Sequence, residues 1–281
     1  MFSPSPPPKP ETWATDERRK YARADYENID YVFPDFRKSH PVEWNGIEED
    51  TYIWLQIDLL CLTSLYFPQF YSEEYFKFTC DEQGDDSWKK SYELRKKILQ
   101  ILFAENKVPE EGFLLCKSPF HALYLKHLFH TFPDVCMINC HRSAEVVVPS
   151  YCKLIDSCSG TYARAWDRRF MGKQVLRLLS TLARKSTQFR KSLDREREKK
   201  QFFDVSFKHL VNDPIERVKQ IYSHFGLEYT GKFEEKMRKY LKENPQGKHG
   251  RNNYSLQEFG LNSEEINELF SDYNKVYSKY F

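Results

Sequence analysis

The sequence is poor in the patterns that announce the commonest chemistries. Its 281 residues hold no Gly-x-Gly-x-x-Gly and no Gly-x-x-x-x-Gly-Lys-Ser/Thr, so neither a dinucleotide fingerprint nor a Walker-type phosphate loop is written in it. There is no Gly-x-Ser-x-Gly, which removes the nucleophile elbow. The eight histidines form no ligand-like pair with cysteine, and no metal is expected. No Cys-x-x-Cys occurs. Charge of one sign is also lacking: the net charge is +2, and no element carries a basic stripe interleaved with aromatics, so no nucleic-acid partner is expected. Long apolar runs are missing too. The stretch from Ile53 to Tyr66 is interrupted by Gln56 and Asp58, too short and mixed to span a bilayer. The Pro-rich residues Ser3 to Pro10 exclude the apolar core of a signal peptide there.

What is present is a folded chain. Hydrophobic residues make up 40% and charged residues 30%, and the 18 Tyr and 22 Phe supply many aromatic anchors for a core. The cysteine count, seven, is odd, and several cysteines sit in apolar runs such as Leu114-Leu115-Cys116. That usage fits reduced, partly buried thiols in a cytoplasmic protein.

Residues 1–12 read as a flexible leader and 13–281 as one domain. The first part is helical: Thr15 to Tyr31, Asp50 to Leu65, Ser72 to Phe78, and Trp88 to Phe103 with Leu94, Ile98, Ile101 and Leu102 on one face. The middle alternates. Gly112 to Cys116 and Val135 to Asn139 are short continuous apolar runs, as buried parallel strands would be. The helical segments Phe120 to Phe132 and Ala144 to Ser157 follow them. A basic helical region runs from Gly160 to Lys200, and Gln201 to Phe207 is a third strand candidate. Asp213 and Pro214 start a helix that stops at Gly226; helices over Gly231 to Glu243 and Ser263 to Lys279 close the chain. Strands alternating with helices imply an α/β fold with a parallel sheet.

Three groups of residues could carry chemistry. Lys117-Ser118-Pro119-x-His121 sits where a strand candidate ends, the usual ligand side of an open α/β sheet. A lysine there can neutralise a transferring anionic group, and a histidine can take a proton from an acceptor hydroxyl. Arg142 ends the second strand candidate and Ser150 lies two turns into the next helix; together they offer a bidentate cation and a neutral donor to a phosphate. Lys248, His249, Gly250 and Arg251 place three cationic side chains in a glycine-flanked loop able to wrap an anion. Each group also has a bland reading: a helix-entry turn, a salt-bridged arginine, a solvated basic loop.

Seven segments in order resemble the sulfotransferases that use 3′-phosphoadenosine 5′-phosphosulfate (PAPS). They are Pro34 to Pro41, Leu115 to His121, Phe132-Pro-Asp134, His141-Arg142 through Val148-Pro149-Ser150, Asp204 to Pro214, Ile221 to Leu227, and Lys248 to Leu261. The resemblance implies a sulfotransferase-like parallel sheet of the P-loop NTPase-like plan, flanked by helices. It implies PAPS as co-substrate, no metal, and a small-molecule or glycan acceptor with a hydroxyl or amine. Arg142 and Ser150 would hold the 3′-phosphate, Lys117 and His121 would lie beside the sulfuryl group, and Lys248 to Arg251 would close over the nucleotide. The family's first strand–loop–helix, which cradles the 5′-phosphosulfate, is expected to be missing or atypical here. Ser143-Ala144 stands where the family shows Asp-Pro, and Phe207-Lys208-His209-Leu210 where it shows Tyr-Glu-Asp-Leu. The alternative implied is a catalytically impaired sulfotransferase-like protein that binds nucleotide or a protein; a P-loop kinase-like enzyme shares the sheet plan but needs the Walker-type loop.

Overall fold

A computed structural model describes residues 10–33, 36–40, 42–44, 46, 48–51, 53, 71–80, 85–104, 112–159, 167–245, 248 and 254–281. Most of the expected leader, most of the helix over Asp50 to Leu65, and His249, Gly250 and Arg251 lie outside the described residues. The chain groups into two compact units, residues 1–127 with 153–167, and residues 128–152 with 168–281.

The first unit contains α1 (Arg18–Val32), α2 (Glu73–Cys80), α3 (Asp85–Phe103) and the start of α4 (Leu125–Thr131). In α3 the buried residues are Trp88, Ser91, Tyr92 and Arg95, at helical spacing. The face expected from the apolar residues is therefore corrected, since Leu94 and Ile101 are exposed. A guanidinium displaces leucine from the interior because Arg95 has a carboxylate to meet, that of Asp50. Gly112 to Lys117 is also a correction. It is not a strand, and Phe113, Leu114 and Leu115 stand exposed. An apolar run becomes a strand only when another strand pairs with it, and none does among the described residues. The helix expected over Phe120 to Phe132 is interrupted at Tyr124, between a short helical turn Pro119–Leu123 and α4. Ser118 caps that turn, accepting from the Phe120 N–H at 3.2 Å, with Pro119 in its first position.

The second unit is built on a parallel pair, β1 (Met137–His141) and β2 (Phe202–Ser206), in register from Met137 opposite Phe202 to His141 opposite Ser206. Helices pack around it: α5 (Ala144–Ser159, shared with the first unit), α6 (Arg168–Ser192), α7 (Arg195–Gln201), α8 (Phe207–Asn212), α9 (Pro214–Phe225), α10 (Gly231–Glu243), α11 (Ser263–Leu269) and α12 (Ser271–Tyr277). The basic helical region holds two helices among the described residues, α6 and α7. Asp194 restarts the chain as an N-cap, accepting from the Arg197 N–H at 2.8 Å. The C-terminal helix is likewise divided at Phe270. Two boundaries fall as their residues dictate: Asp213 caps α9 through the Glu216 N–H at 3.1 Å, and Gly226 ends it at φ +66°. In α6, Gly172 lets the helix touch the turn at Phe259, whose carbonyl oxygen lies 2.3 Å from where a Cβ would stand. No helix among the described residues is long and apolar enough to cross a membrane.

Candidate functional site

The second unit holds Arg142 and Ser150. Arg142 is the first residue past β1, and α5 begins two residues later at Ala144. A parallel strand running into a helix N-terminus is the standard setting for an anion, because free backbone N–H groups and the helix dipole point the same way. Buried residues Ala144, Val148, Cys152, Ile155 and Ser159 form the inner stripe of α5, and Ser150 lies off it, partly exposed. The Arg142 guanidinium carbon lies 4.6 Å from the centre of the Phe207 ring, and Phe207 is the first residue past β2. Strand pairing thus delivers the cation and its aromatic support together, since His141 and Ser206 are opposite each other. Among the described residues no carboxylate pairs with Arg142.

That isolation contrasts with Arg190, buried behind the same strands. Arg190 bonds Asp204 at 2.6 and 3.0 Å and also reaches Glu198. Burial, the largest single influence, opposes its charge, but the hydrogen bond and charge of Asp204 together with Tyr277 and Glu198 outweigh it and raise its pKa. Asp204 is in turn pushed up by burial and pulled down further by hydrogen bonds from His141 and Arg190, to about 2. Arg190 is met by two carboxylates, whereas Arg142 is met by none among the described residues.

The first unit holds Lys117 and His121. Lys117 is exposed and pairs with Glu49, while its carbonyl accepts from the Asp50 N–H at 3.1 Å. His121 is 7% exposed. Its Nδ1 is 2.8 Å from the Tyr92 hydroxyl and its Nε2 is 3.1 Å from Asp50 Oδ2. Burial raises the Tyr92 pKa, so that group stays a hydroxyl and donates to Nδ1, while Nε2–H donates to the carboxylate. Burial and the Arg95 charge push the His121 pKa down to about 3. His121 is therefore a neutral imidazole with both nitrogens engaged. Asp50 and Tyr92 are the neighbours that sequence reading missed. The signal available for them was an acid and a phenol in helical segments otherwise read for apolar periodicity.

Lys248 is exposed, with its Nζ 3.1 Å from Asn244 Oδ1 beyond the end of α10. Among the described residues no group of three or more His, Cys, Asp or Glu side chains could hold a metal ion.

A parallel strand pair flanked by helices makes this an α/β protein. Its family is specific: a family model described as the sulfotransferase family matches residues 2–231, and the chain belongs to that family. Omega-hydroxy-beta-dihydromenaquinone-9 sulfotransferases Stf3 of Mycobacterium bovis and Mycobacterium tuberculosis are each 24% identical to it over 192 residues. The match covers 66% of this chain and 45% of theirs, so the chain spans less than half the length of these relatives. Among solved structures, sulfotransferase STF9 from Mycobacterium avium aligns at a TM-score of 0.78 and 24% identity, covering 97% of this chain and 67% of that one. Sulfotransferase STF1 from Mycobacterium tuberculosis aligns at 0.68 and 23%, covering 95% and 66%. The fold is that of a sulfotransferase.

Proposed function

We propose that the chain binds the 3′-phosphate end of PAPS and serves sulfuryl transfer to a hydroxyl or amine on a small-molecule or glycan acceptor. The observation that carries this reading is Arg142: a partly exposed guanidinium at a strand end, steadied by Phe207 and matched by no carboxylate among the described residues. Arg142 and the Ser150 hydroxyl hold the 3′-phosphate, and Lys248, His249, Gly250 and Arg251 close over the nucleotide. Lys117 exchanges Glu49 for the sulfuryl group and offsets its charge. The acceptor oxygen or nitrogen attacks sulfur in line, the bond from sulfur to the bridging phosphate oxygen breaks, and adenosine 3′,5′-bisphosphate leaves. The acceptor's proton goes to His121, which is neutral and so able to receive it at Nδ1 once Tyr92 releases that nitrogen. The reading takes residues 13–281 as one functional domain in the cytoplasm. The relatives' names make an alcohol the first acceptor to test.

A second reading is favoured by the His121 geometry itself. A histidine with both nitrogens engaged and only 7% exposed is also what a purely structural residue looks like. On that reading the chain binds nucleotide or a protein without turnover.

Titration of adenosine 3′,5′-bisphosphate into the wild type and Arg142→Ala tests the shared part. Loss of a charge-assisted contact costs about 1.5–3 kcal/mol, which weakens Kd roughly 10–100-fold. Absence of binding to the wild type at millimolar nucleotide sinks the enzyme reading and leaves only the protein-binding form of the second.

A further inference from the structure

Behind Arg142 lies a buried network that the reaction above does not use. His141 ends β1 and is 2% exposed. Its Nδ1 is 2.7 Å from the Tyr273 hydroxyl, and its Nε2 is 2.7 Å from Asp204 Oδ1. Burial raises the Tyr273 pKa, so the phenol remains a donor. Asp204 remains a carboxylate because Arg190 bonds both of its oxygens, so it accepts. The two partners fix one arrangement of the imidazole: Nδ1 accepts and Nε2–H donates. Two further rings clamp it face on, Tyr277 with its centre at 4.4 Å and Tyr280 at 5.0 Å. Tyr273, Tyr277 and Tyr280 all come from the C-terminal segment.

Arg142 has far less to hold it. Among the described residues its side chain is supported by the face of Phe207, and its backbone follows directly from His141. Phe207 follows Ser206, the register partner of His141. Both halves of the arginine's seat therefore hang from one residue pair, and the clamp acts on that pair. A bidentate contact to phosphate is steep in angle, so a small turn of the strand end reduces it sharply.

We propose that His141 is a positioning residue for Arg142, held by Tyr273 of the C-terminal helix, and that this helix thereby sets selectivity for a nucleotide 3′-phosphate without touching the nucleotide. The proposal rests on the reading of Arg142 as the 3′-phosphate contact.

The test compares Kd for adenosine 3′,5′-bisphosphate and for adenosine 5′-monophosphate, which lacks the 3′-phosphate. It uses the full chain as wild type, Arg142→Ala, Tyr273→Phe, His141→Gln and His141→Ala, with a melting curve for each. The wild type should prefer the bisphosphate by about 10–100-fold, and Arg142→Ala should erase that preference. Tyr273→Phe removes one hydroxyl from the clamp and should reduce the preference about 3–10-fold while the monophosphate Kd stays put. His141→Gln keeps a donor towards Asp204 and should retain more of the preference than His141→Ala. A wild type with no preference overturns the Arg142 reading, and this proposal with it, before any clamp variant is considered. A wild-type preference that Arg142→Ala erases, but that Tyr273→Phe leaves intact, whether both Kd values hold or both weaken equally, overturns the positioning role alone. If His141→Ala does not fold, Tyr273→Phe decides.

Discussion

Two buried ion pairs do different work. Arg95 meets Asp50 in the first unit, and Asp204 meets Arg190 in the second. Asp204, held at about 2, contributes stability that is present above the ordinary aspartate range and lost only as pH falls towards 2. His121 loses stability in the same direction as pH falls, but over a higher window. Its folded pKa of about 3 lies below the unfolded value of 6.5, so between those limits the unfolded chain binds more protons than the native one. Stability is then fully present above pH 6.5 and falls as pH drops from 6.5 towards 3, by at most about 1.4 kcal/mol per unit. Urea midpoints measured from pH 7 to pH 4.5 should decline in the wild type. His121→Asn should begin lower at pH 7 and show a flatter decline. An equal slope in both chains would assign the acid sensitivity to other groups.

At the level of elements, α6 and the turn at Phe259 approach closely at Gly172. A methyl at position 172 would sit 2.3 Å from the Phe259 carbonyl oxygen and 2.9 Å from its Cβ, and neither is the far end of a flexible side chain. Gly172→Ala should therefore destabilise by about 1–3 kcal/mol despite alanine's better helix propensity, as read by chemical denaturation. Gly231, with nothing within 4 Å of its would-be Cβ, is the control; Gly231→Ala should be near neutral. These elements differ in how far the sequence discloses them. The caps at Asp213 and Gly226 are local chemistry, and the helix they bound is legible residue by residue. Arg142 was legible because it ends an apolar run that does become β1. Gly112 to Cys116 was misread because an apolar run reports only a demand for burial, and the partner that would make it a strand is a property of distant residues. The clamp on His141 was illegible for the same reason: Asp204 and Tyr273 reach it across 63 and 132 positions. The usable hint was Asp204 itself, a lone acid inside a strand candidate. Asp194 hid among so many charges that its role as a cap was masked.

For the molecule as a whole, binding and turnover are separable quantities. A ligand at 100 times its Kd stabilises the native state by about 2.7 kcal/mol, which corresponds to roughly 5–10 °C in Tm for a chain of this size. The enzyme reading and the nucleotide-binding form of the second reading both require that shift with adenosine 3′,5′-bisphosphate, because both use Arg142. They part on sulfur. If His121 accepts the acceptor's proton, transfer of labelled sulfuryl from PAPS to an alcohol is detectable, and His121→Asn lowers kcat by about 100-fold or more while the nucleotide Kd stays unchanged. If His121 is only packing, the wild type binds with the same thermal shift and transfers nothing, and His121→Asn changes only Tm. The geometry around His121 gives the enzyme reading a further condition: Tyr92→Phe frees Nδ1 without adding a charge, so in an active enzyme it should preserve or raise kcat while lowering stability by about 0.5–1.5 kcal/mol. A Tyr92→Phe variant that loses turnover in proportion to its lost stability would mean that the hydroxyl belongs to the reacting geometry rather than obstructing it.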